Sequence, residues 1–198
     1  MSVEAGTTPV EAVRSVDELV QAVAAGAAVK YLPFWGHQPH PDGRLGTGCL
    51  SQWWPSEFAV DGITYATAEH WMMAEKARLF GDRDAERQAI DAPNPALAKA
   101  AGRLVREFDD AVWAEARFEI VVRGNVHKFG SDPGRRDYLL RTGDRVLVEA
   151  SPRDRVWGIG MGARNENVEH PAAWRGLNLL GFALMEARTR LRAAPSGD

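Results

Sequence analysis

Glu69 and Lys76 are the residues whose types and spacing first indicate chemistry, because both fall on one side of a predicted helix that is otherwise apolar. That helix is predicted to begin after Thr67, whose hydroxyl is a good N-cap, and to end near Gly81. At about 3.6 residues per turn, the apolar residues that share the face of Glu69 are Met72, Met73 and Phe80. The positive helix N-terminus and Lys76 favour the charged form, so we expect Glu69 to be ionised at neutral pH and able to stabilise a cation or activate water. A structural Glu–Lys pair would explain the same pattern.

A second helix, predicted over 111–129, also carries charge on an apolar stripe. Arg117 and Lys128 share this stripe with Trp113, and two cations there could hold an anionic group of a ligand. Either side chain alone could instead extend its aliphatic stem over the core and place its charge in water.

A glycine-rich loop over 151–162 is the second candidate site. Gly158 and Gly160 would let the backbone approach a ligand closely, although the spacing is not that of a dinucleotide fingerprint. Asp154 and Trp157 in the same loop offer a carboxylate and a flat apolar surface. A glycine-rich turn in which Asp154 bonds the local backbone is the alternative interpretation.

The elements that must position these residues are mostly helices, which predicts a mainly α fold with a small β portion (α+β) in a single compact domain. Further helices are predicted from Ser15 to Gly26, over 82–90, from Asn94 to about Phe108, over 135–141 and from Trp174 to about Leu191. Strands are predicted over 30–35 and 145–150, and Asp61-Gly62 between two short apolar runs predicts a hairpin. The last helix is expected to bury Leu177, Leu180, Leu184 and Leu191. Its Asn178 amide needs a hydrogen-bond partner.

The chain has 198 residues, enough for one domain with a core of its own. We expect a leader and accessory helix over 1–29, the main domain over 30–192 and a tail over 193–198. The single cysteine, Cys49, suits a reducing cytoplasm, and no targeting signal or membrane span is evident. With 24 basic and 27 acidic residues, the net charge of −3 argues against a protein that mainly wraps nucleic acid. His37 and His40 lack a third ligand at metal-site spacing, so no metal is predicted.

Several blocks of the chain, in order, resemble the NADAR family, the NAD- and ADP-ribose-associated domain proteins. The blocks are Tyr65-x-Thr67-x-Glu69-His70, Lys76, Trp113, Lys128-Phe129, Leu147-Val148-Glu149, Asp154-x-x-Trp157-Gly158-x-Gly160 and Gly176-x-Asn178-x-x-Gly181. The resemblance covers about Tyr31 to Leu191. Each block is weak alone, but together they are specific.

The resemblance implies N-glycosidase activity. Some members hydrolyse the base–ribose linkage of early riboflavin-pathway intermediates, and others remove ADP-ribose from modified guanine. It also implies catalytic roles for Glu69, Asp154 and Trp113. We expect the substrate to contact Ser51, Thr67, His70, Lys76, Arg117, Lys128, Trp157, Gly158, Gly160 and Asn178. No cofactor is expected.

The sequence does not choose between a small-molecule riboside and an ADP-ribosylated base on nucleic acid. Its mild acidity favours the small molecule. A basic track would favour nucleic acid if the fold gathered on one rim Arg117, Arg123, Lys128, Arg135 and Arg136. The chain also departs from many members at Ser51-Gln52-Trp53, where they have Ser-Asn-aromatic, and in the loop over 36–48. The oligomeric state is not predicted.

A non-catalytic module that holds ADP-ribose or NAD in the same pocket is the alternative function. Two carboxylates beside anionic phosphates would weaken such binding, so the Glu69 and Asp154 pair favours catalysis.

Overall fold

Three helices start where their capping residues predict. The computed structural model describes residues 10–40 and 42–194. Thr67 Oγ1 accepts a hydrogen bond from the His70 backbone N–H at 3.4 Å, and Asn94 Oδ1 accepts one from Leu97 at 3.0 Å. Ser15 caps the first helix in the same way, through the Glu18 backbone N–H.

Within the described residues the helices are α1 Val16–Ala24, α2 Ala68–Leu79, α3 Arg83–Ile90, α4 Pro95–Arg103, α5 Asp110–Gly130, α6 Pro133–Arg141 and α7 Leu179–Ala193. The strands are β1 Tyr31–Phe34, β2 Phe58–Val60, β3 Ile63–Tyr65 and β4 Val146–Glu149. Short 3-10 turns lie at Val10–Ala12, Thr47–Leu50 and Pro171–Ala173. The predicted mainly α fold with a small β portion is confirmed.

The strands form two small sheets. Strands β2 and β3 pair antiparallel around Asp61 and Gly62, which both adopt the left-handed conformation that this tight turn requires, so the predicted hairpin is confirmed. Strands β1 and β4 pair in parallel, with Phe34 opposite Glu149. The chain segments that follow these two strands therefore leave the sheet at the same edge.

The core is built where α2, α5 and α7 meet the β1–β4 sheet. Trp71 of α2 is its central side chain, and the indole N–H donates to the Ile120 carbonyl oxygen at 2.9 Å. Gly124 gives that ring its space, because a Cβ there would lie 2.3 Å from the indole. Helix α1 is anchored by Leu19, which is fully buried in the same core.

Two predicted helix bounds are wrong. Helix α4 ends at Arg103 rather than near Phe108, since Glu107 is left-handed and the Arg106 backbone N–H bonds to Asp82. Helix α7 begins at Leu179 rather than at Trp174, because the preceding segment is occupied in bonds with the glycine loop.

The expected core stripe of the last helix is also partly wrong, since Leu177 lies before α7 and is 47% exposed. Residues 1–9 of the predicted leader and residues 195–198 of the predicted tail lie outside the described residues. The predicted domain bounds therefore stay a prediction. No described helix is both long and apolar enough to cross a membrane.

Candidate active site

A cavity of about 500 Å³ lies where the chain leaves β1 and β4. Because the strands are parallel, residues 35–38 and 149–157 reach it from the same sheet edge, the usual position for ligand sites at carboxyl ends of strands. The start of α2, one residue each of α4 and α7, and the loop before β2 complete the walls. The lining residues are Trp35, Gly36, His37, Gln38, Ser51, Gln52, Trp53, Glu69, Met72, Lys99, Glu149, Ser151, Asp154, Trp157 and Leu180.

Glu69 is the most buried charged group of the cavity, at 2% exposed. Burial raises the pKa of its carboxyl to about 7, although the positive charge of Lys99 and the Trp53 indole act in the opposite direction. Its Oε1 has no hydrogen-bond partner among the described residues. Glu69 therefore changes charge near neutral pH and offers a free oxygen to a ligand.

The expectation that Lys76 keeps Glu69 ionised is wrong. Lys76 Nζ donates to the Gly102 carbonyl oxygen at 2.8 Å and lies 3.9 Å from the centre of the Phe108 ring. The cation that lowers the pKa of Glu69 most is Lys99 of α4. Lys76 lies on the same helix as Glu69, whereas Lys99 reaches the cavity because α4 packs on α2.

Glu149 is a third carboxyl of the cavity and was not predicted as a site residue. It ends β4, and burial raises the pKa of its carboxyl to about 8, with a further increase from the charge of Asp154. The available sequence signal was its position as the last residue of a strand followed by the glycine loop.

Asp154 is fixed by the loop that carries it. Its Oδ1 accepts hydrogen bonds from the backbone N–H groups of Val156 at 2.9 Å and Trp157 at 2.8 Å. The local backbone bonding considered for Asp154 is therefore present, and the carboxyl lines the cavity as well. Both backbone N–H groups bond Oδ1, so these two bonds do not occupy the other carboxyl oxygen. Local backbone bonding is therefore compatible with a role of Asp154 at the cavity.

The segment Ser51–Trp53 forms one wall of the cavity, and buried polar groups behind this wall hold it in place. Lys128, fully buried, donates from Nζ to the Ser51 carbonyl oxygen at 2.7 Å, and burial lowers the pKa of this lysine to about 7. Gln52 is held by Asn125, whose Nδ2 donates to Gln52 Oε1 at 3.0 Å. Lys128 thus supports the cavity wall rather than lining the cavity.

Three indoles surround the cavity: Trp35, Trp53 and Trp157. Trp35 is 63% exposed, which is unusual for a tryptophan and places an apolar ring in contact with water at the cavity. The ring of Trp53 lies 5.7 Å from that of His37, centre to centre. Flat apolar surfaces of this kind suit a planar ligand group.

Of the predicted site residues, the structure brings together Ser51, Glu69, Asp154 and Trp157 at the cavity. The residues of the cavity that were not among the predicted site residues are Trp35, Gly36, His37, Gln38, Gln52, Trp53, Met72, Lys99, Glu149, Ser151 and Leu180.

Trp113 and Arg117 lie on the first half of α5 and do not line the cavity. The centre of the Trp113 ring is 5.7 Å from Lys76 Nζ, so these two predicted residues are neighbours of each other. Arg117 is partly buried, and its Nε has no partner within the described part of the chain. The role that the resemblance implies for Trp113 stays a prediction.

Thr67 and His70 also lie behind the cavity wall. The Thr67 hydroxyl is 2.8 Å from His70 Nδ1, and His70 Nε2 is 2.9 Å from the Ala92 carbonyl oxygen. Since that carbonyl can only accept, Nε2 carries the proton, and Nδ1 accepts from Thr67. Burial lowers the pKa of His70. Both side chains secure the start of α2.

Gly158, Gly160 and Asn178 hold the glycine loop on the protein rather than contacting the cavity. A Cβ at position 158 would lie 2.8 Å from the Glu149 carbonyl oxygen, so the glycine permits close backbone packing. Asn178 Nδ2 donates to the Leu147 carbonyl oxygen at 2.9 Å, and its Oδ1 accepts from the Glu149 backbone N–H at 3.0 Å. These two bonds supply the hydrogen-bond partners that the buried Asn178 amide requires.

The basic residues of α5 and α6 do not form one free track. Lys128 is buried, Arg123 pairs with Glu75 at 2.7 Å, and Arg136 donates to the Leu191 carbonyl oxygen. No group of three or more His, Cys, Asp or Glu residues in 10–40 and 42–194 is arranged to hold a metal ion.

Comparison with known proteins matches a family model described as the NADAR domain to residues 33–192. The chain is 37% identical over 164 residues to N-glycosidase R617 of Acanthamoeba polyphaga mimivirus, covering 80% of this chain and 95% of that protein. It is 31% identical over 138 residues to riboflavin biosynthesis protein PYRR, chloroplastic, of Zea mays, covering 66% of this chain and 20% of that protein. The NMR structure of the E. coli protein YbiA matches with a TM-score of 0.64 and 25% identity, over 84% of this chain and 88% of that one.

Proposed function

The chain belongs to the NADAR domain family, and on that premise we propose that its cavity hydrolyses the bond between a base and ribose through Glu69, Asp154 and Glu149. The N-glycosidases among its relatives make the protein a hydrolase of N-glycosyl compounds. The observation that carries the assignment of residues is the meeting of three carboxyls at one cavity of about 500 Å³.

Glu69 serves the sugar side of the reaction. Breaking an N-glycosidic bond leaves an electron-poor sugar that resembles an oxocarbenium ion, and a fixed carboxylate stabilises it. At about 4 Å and an effective dielectric of about 20, that attraction is worth roughly 4 kcal/mol, against about 1 kcal/mol in bulk water. Its unpartnered Oε1 and its 2% exposure support this role, or that of the base that activates water.

Glu149 serves the leaving base. The departing nitrogen needs a proton, and a carboxyl whose pKa lies at about 8 still holds one at neutral pH. Burial, and to a lesser extent the neighbouring charge of Asp154, raises the pKa of Glu149 and so keeps its proton in place, and Asp154 contacts the sugar or the base. General acid and base catalysis needs one carboxyl that holds a proton to donate and another that is ionised at the same pH.

Trp157 and Trp35 stack on the base. Both line the cavity, and the large exposed fraction of Trp35 is explained if a planar group covers its ring. The resemblance places a catalytic tryptophan at Trp113, which does not line the cavity. We therefore assign Trp113 no contact with the ligand.

A small-molecule riboside is the favoured substrate, of the kind found among early riboflavin-biosynthesis intermediates. The cavity volume lies in the range of about 300 to 1,000 Å³ that suits a small ligand. Lys99 is the cation among the lining residues and could meet a phosphate of the ligand. ADP-ribosylated guanine on nucleic acid is the second candidate, and it has less support because, of the basic residues on α5, Lys128 is buried and Arg123 is paired with Glu75.

The test is a mass-spectrometric hydrolysis assay on wild type and Glu69→Gln. Each protein is offered a ribosylated riboflavin precursor, ADP-ribosyl-guanine in DNA, and NAD. Release of free base that disappears in the variant would establish the activity and identify the substrate class. Equal release by both proteins would eliminate the role of Glu69. No release, with ADP-ribose bound tightly by both, would identify a non-catalytic binding module.

A further inference from the structure

We propose that Gln52 is a specificity residue whose Nε2 amide donates a hydrogen bond to a ribose hydroxyl, with Asn125 as the positioning residue that fixes the direction of this donor. The inference rests on the proposed function and extends it to the recognition of ribose against deoxyribose.

Gln52 is a buried polar side chain with one unsatisfied end. It is 6% exposed, it lines the cavity, and its Nε2 has no hydrogen-bond partner among the residues described. An unpaired buried amide is costly, because its N–H groups have lost their hydrogen bonds to water without a replacement. A ligand that supplied an acceptor in the cavity would remove that cost, which makes Gln52 a donor prepared for a ligand.

Asn125 decides which end of the Gln52 amide faces the cavity. Its Nδ2 donates both to Gln52 Oε1 at 3.0 Å and to the Val121 carbonyl oxygen at 2.9 Å. Because Nδ2 can only donate, Gln52 must present its oxygen to Asn125. Its Nε2 is then the end that remains for the ligand.

A sugar hydroxyl is the group that fits this donor. The Glu69 backbone N–H donates to the Gln52 carbonyl oxygen at 3.0 Å, so the two residues are adjacent on the cavity wall. Gln52 offers a free donor and Glu69 Oε1 a free acceptor. A hydroxyl can satisfy both together because it accepts one hydrogen bond while donating another, whereas a carbonyl oxygen of a base can only accept.

The test compares Gln52→Glu with wild type on a riboside substrate and on its 2′-deoxy and 3′-deoxy counterparts. The variant keeps the oxygen that Asn125 requires and replaces the donor by an acceptor. We expect kcat/KM on the riboside to fall about tenfold or more. For the deoxy substrate that lacks the contacted hydroxyl, we expect kcat/KM of wild type to exceed kcat/KM of the variant by only about twofold or less. Gln88→Glu, which adds the same negative charge at an exposed position on α3, should leave kcat/KM on all three substrates unchanged.

Asn125→Asp tests the positioning role without altering Gln52. A carboxylate at that position accepts rather than donates, so the Gln52 amide should turn and present its oxygen to the cavity. We expect the same hydroxyl-dependent loss as in Gln52→Glu. A loss of stability alone would lower activity on all three substrates by the same factor, and that result would overturn the positioning role.

Equal losses by Gln52→Glu on the riboside and on both deoxy substrates would overturn the sugar contact. If wild type releases no base from any substrate, the proposed hydrolysis has failed, and calorimetric binding decides the inference instead. Ribose 5-phosphate should then bind the variant at least about fivefold more weakly than wild type, while 2-deoxyribose 5-phosphate or its 3-deoxy isomer should show no such difference. Absence of ribose 5-phosphate binding to wild type would overturn it.

Discussion

The backbone N–H of Glu69 donates a 3.0 Å hydrogen bond to the carbonyl oxygen of Gln52, and this bond joins the first turn of α2 to the loop that forms the adjacent cavity wall. Lys128 holds the same loop through the Ser51 carbonyl oxygen. Glu69 is therefore fixed on both sides, by the capped helix start and by the loop. The backbone that carries the Glu69 carboxyl is fixed in this way, so the group need not be repositioned when positive charge develops on a ligand, which favours strong electrostatic stabilisation.

Replacing Glu69 by Gln should inactivate the enzyme and stabilise the fold at alkaline pH. The folded pKa of Glu69, about 7, lies above the ordinary value of 4.5. Between those values the folded state holds a proton that the unfolded state has released, so stability falls as pH rises and levels off above the folded pKa. At pH 8 the neutral variant should gain up to about 3 kcal/mol in free energy of unfolding.

Denaturant unfolding of wild type and Glu69→Gln at pH 5 and pH 8 measures this difference. The gain should be present at pH 8 and small at pH 5. Glu57→Gln, an exposed carboxyl change, is the matched control and should show little change at either pH. A variant less stable than wild type at pH 8 would contradict the assignment of a buried charge to Glu69.

Replacing Lys99 by Met should shift the acid limb of the pH–rate profile to higher pH. Lys99 is the charge that lowers the pKa of Glu69 most, so its removal makes the carboxylate less stable and raises that pKa. If ionised Glu69 is required, activity then appears only at a higher pH. The profile of kcat/KM against pH measures the midpoint, and Lys99→Arg, which keeps the charge, should leave it near the wild-type value. An unmoved acid limb in Lys99→Met would eliminate this coupling.

Replacing Trp35 by Ala should weaken substrate binding without weakening the fold. Stacking of a base on an aromatic ring is worth about 1 to 3 kcal/mol, so KM should rise about 5- to 150-fold. The ring is 63% exposed, so the free energy of unfolding should change by less than about 1 kcal/mol. Trp35→Phe keeps a flat ring and should recover most of the affinity. Unchanged KM in both variants would show that the ring takes no part in binding.

Replacing Gly176 by Ala should displace the loop that carries Asp154. A Cβ at this position would lie 2.2 Å from the Gly158 carbonyl oxygen and 2.8 Å from the Arg155 Cα, which are both backbone atoms. We expect a loss of about 2 kcal/mol or more in stability, because backbone must shift, together with lower kcat. Gly162→Ala is the control, since nothing lies within 4 Å of its Cβ position. Equal stability and activity of the two variants would contradict the packing argument.

Local patterns in the sequence were sufficient for most elements. The Thr67 cap, the Asp61-Gly62 turn and the Asn94-Pro95 start are each confirmed, because capping and tight turns depend on residues within a few positions. The C-terminal end of α4 and the start of α7 were predicted at the wrong residues. Both are set by distant partners: Asp82 for the segment after α4, and β4 for Asn178.

The candidate site was only partly predictable for the same reason. Glu69 and Asp154 were indicated by a charged apolar face and a glycine loop, and the resemblance added their roles. Lys99 gave no signal because its helix carries an ordinary amphipathic pattern, and only the packing of α4 on α2 brings it to Glu69. The direction of the Gln52 amide could not be predicted, because it depends on Asn125, far along the chain.

The sequence by itself determined the family, the mainly α fold and the types of most local elements, since these follow from short-range spacing and from motifs kept in order. The tertiary structure decided which charges share a cavity. Pairing of β1 with β4 joins segments more than a hundred residues apart, and it places Trp35 beside Glu149 at one sheet edge. Burial there raises the pKa of Glu69 and Glu149 toward neutrality, because desolvation depends on every element packed around a group and not on its neighbours in sequence.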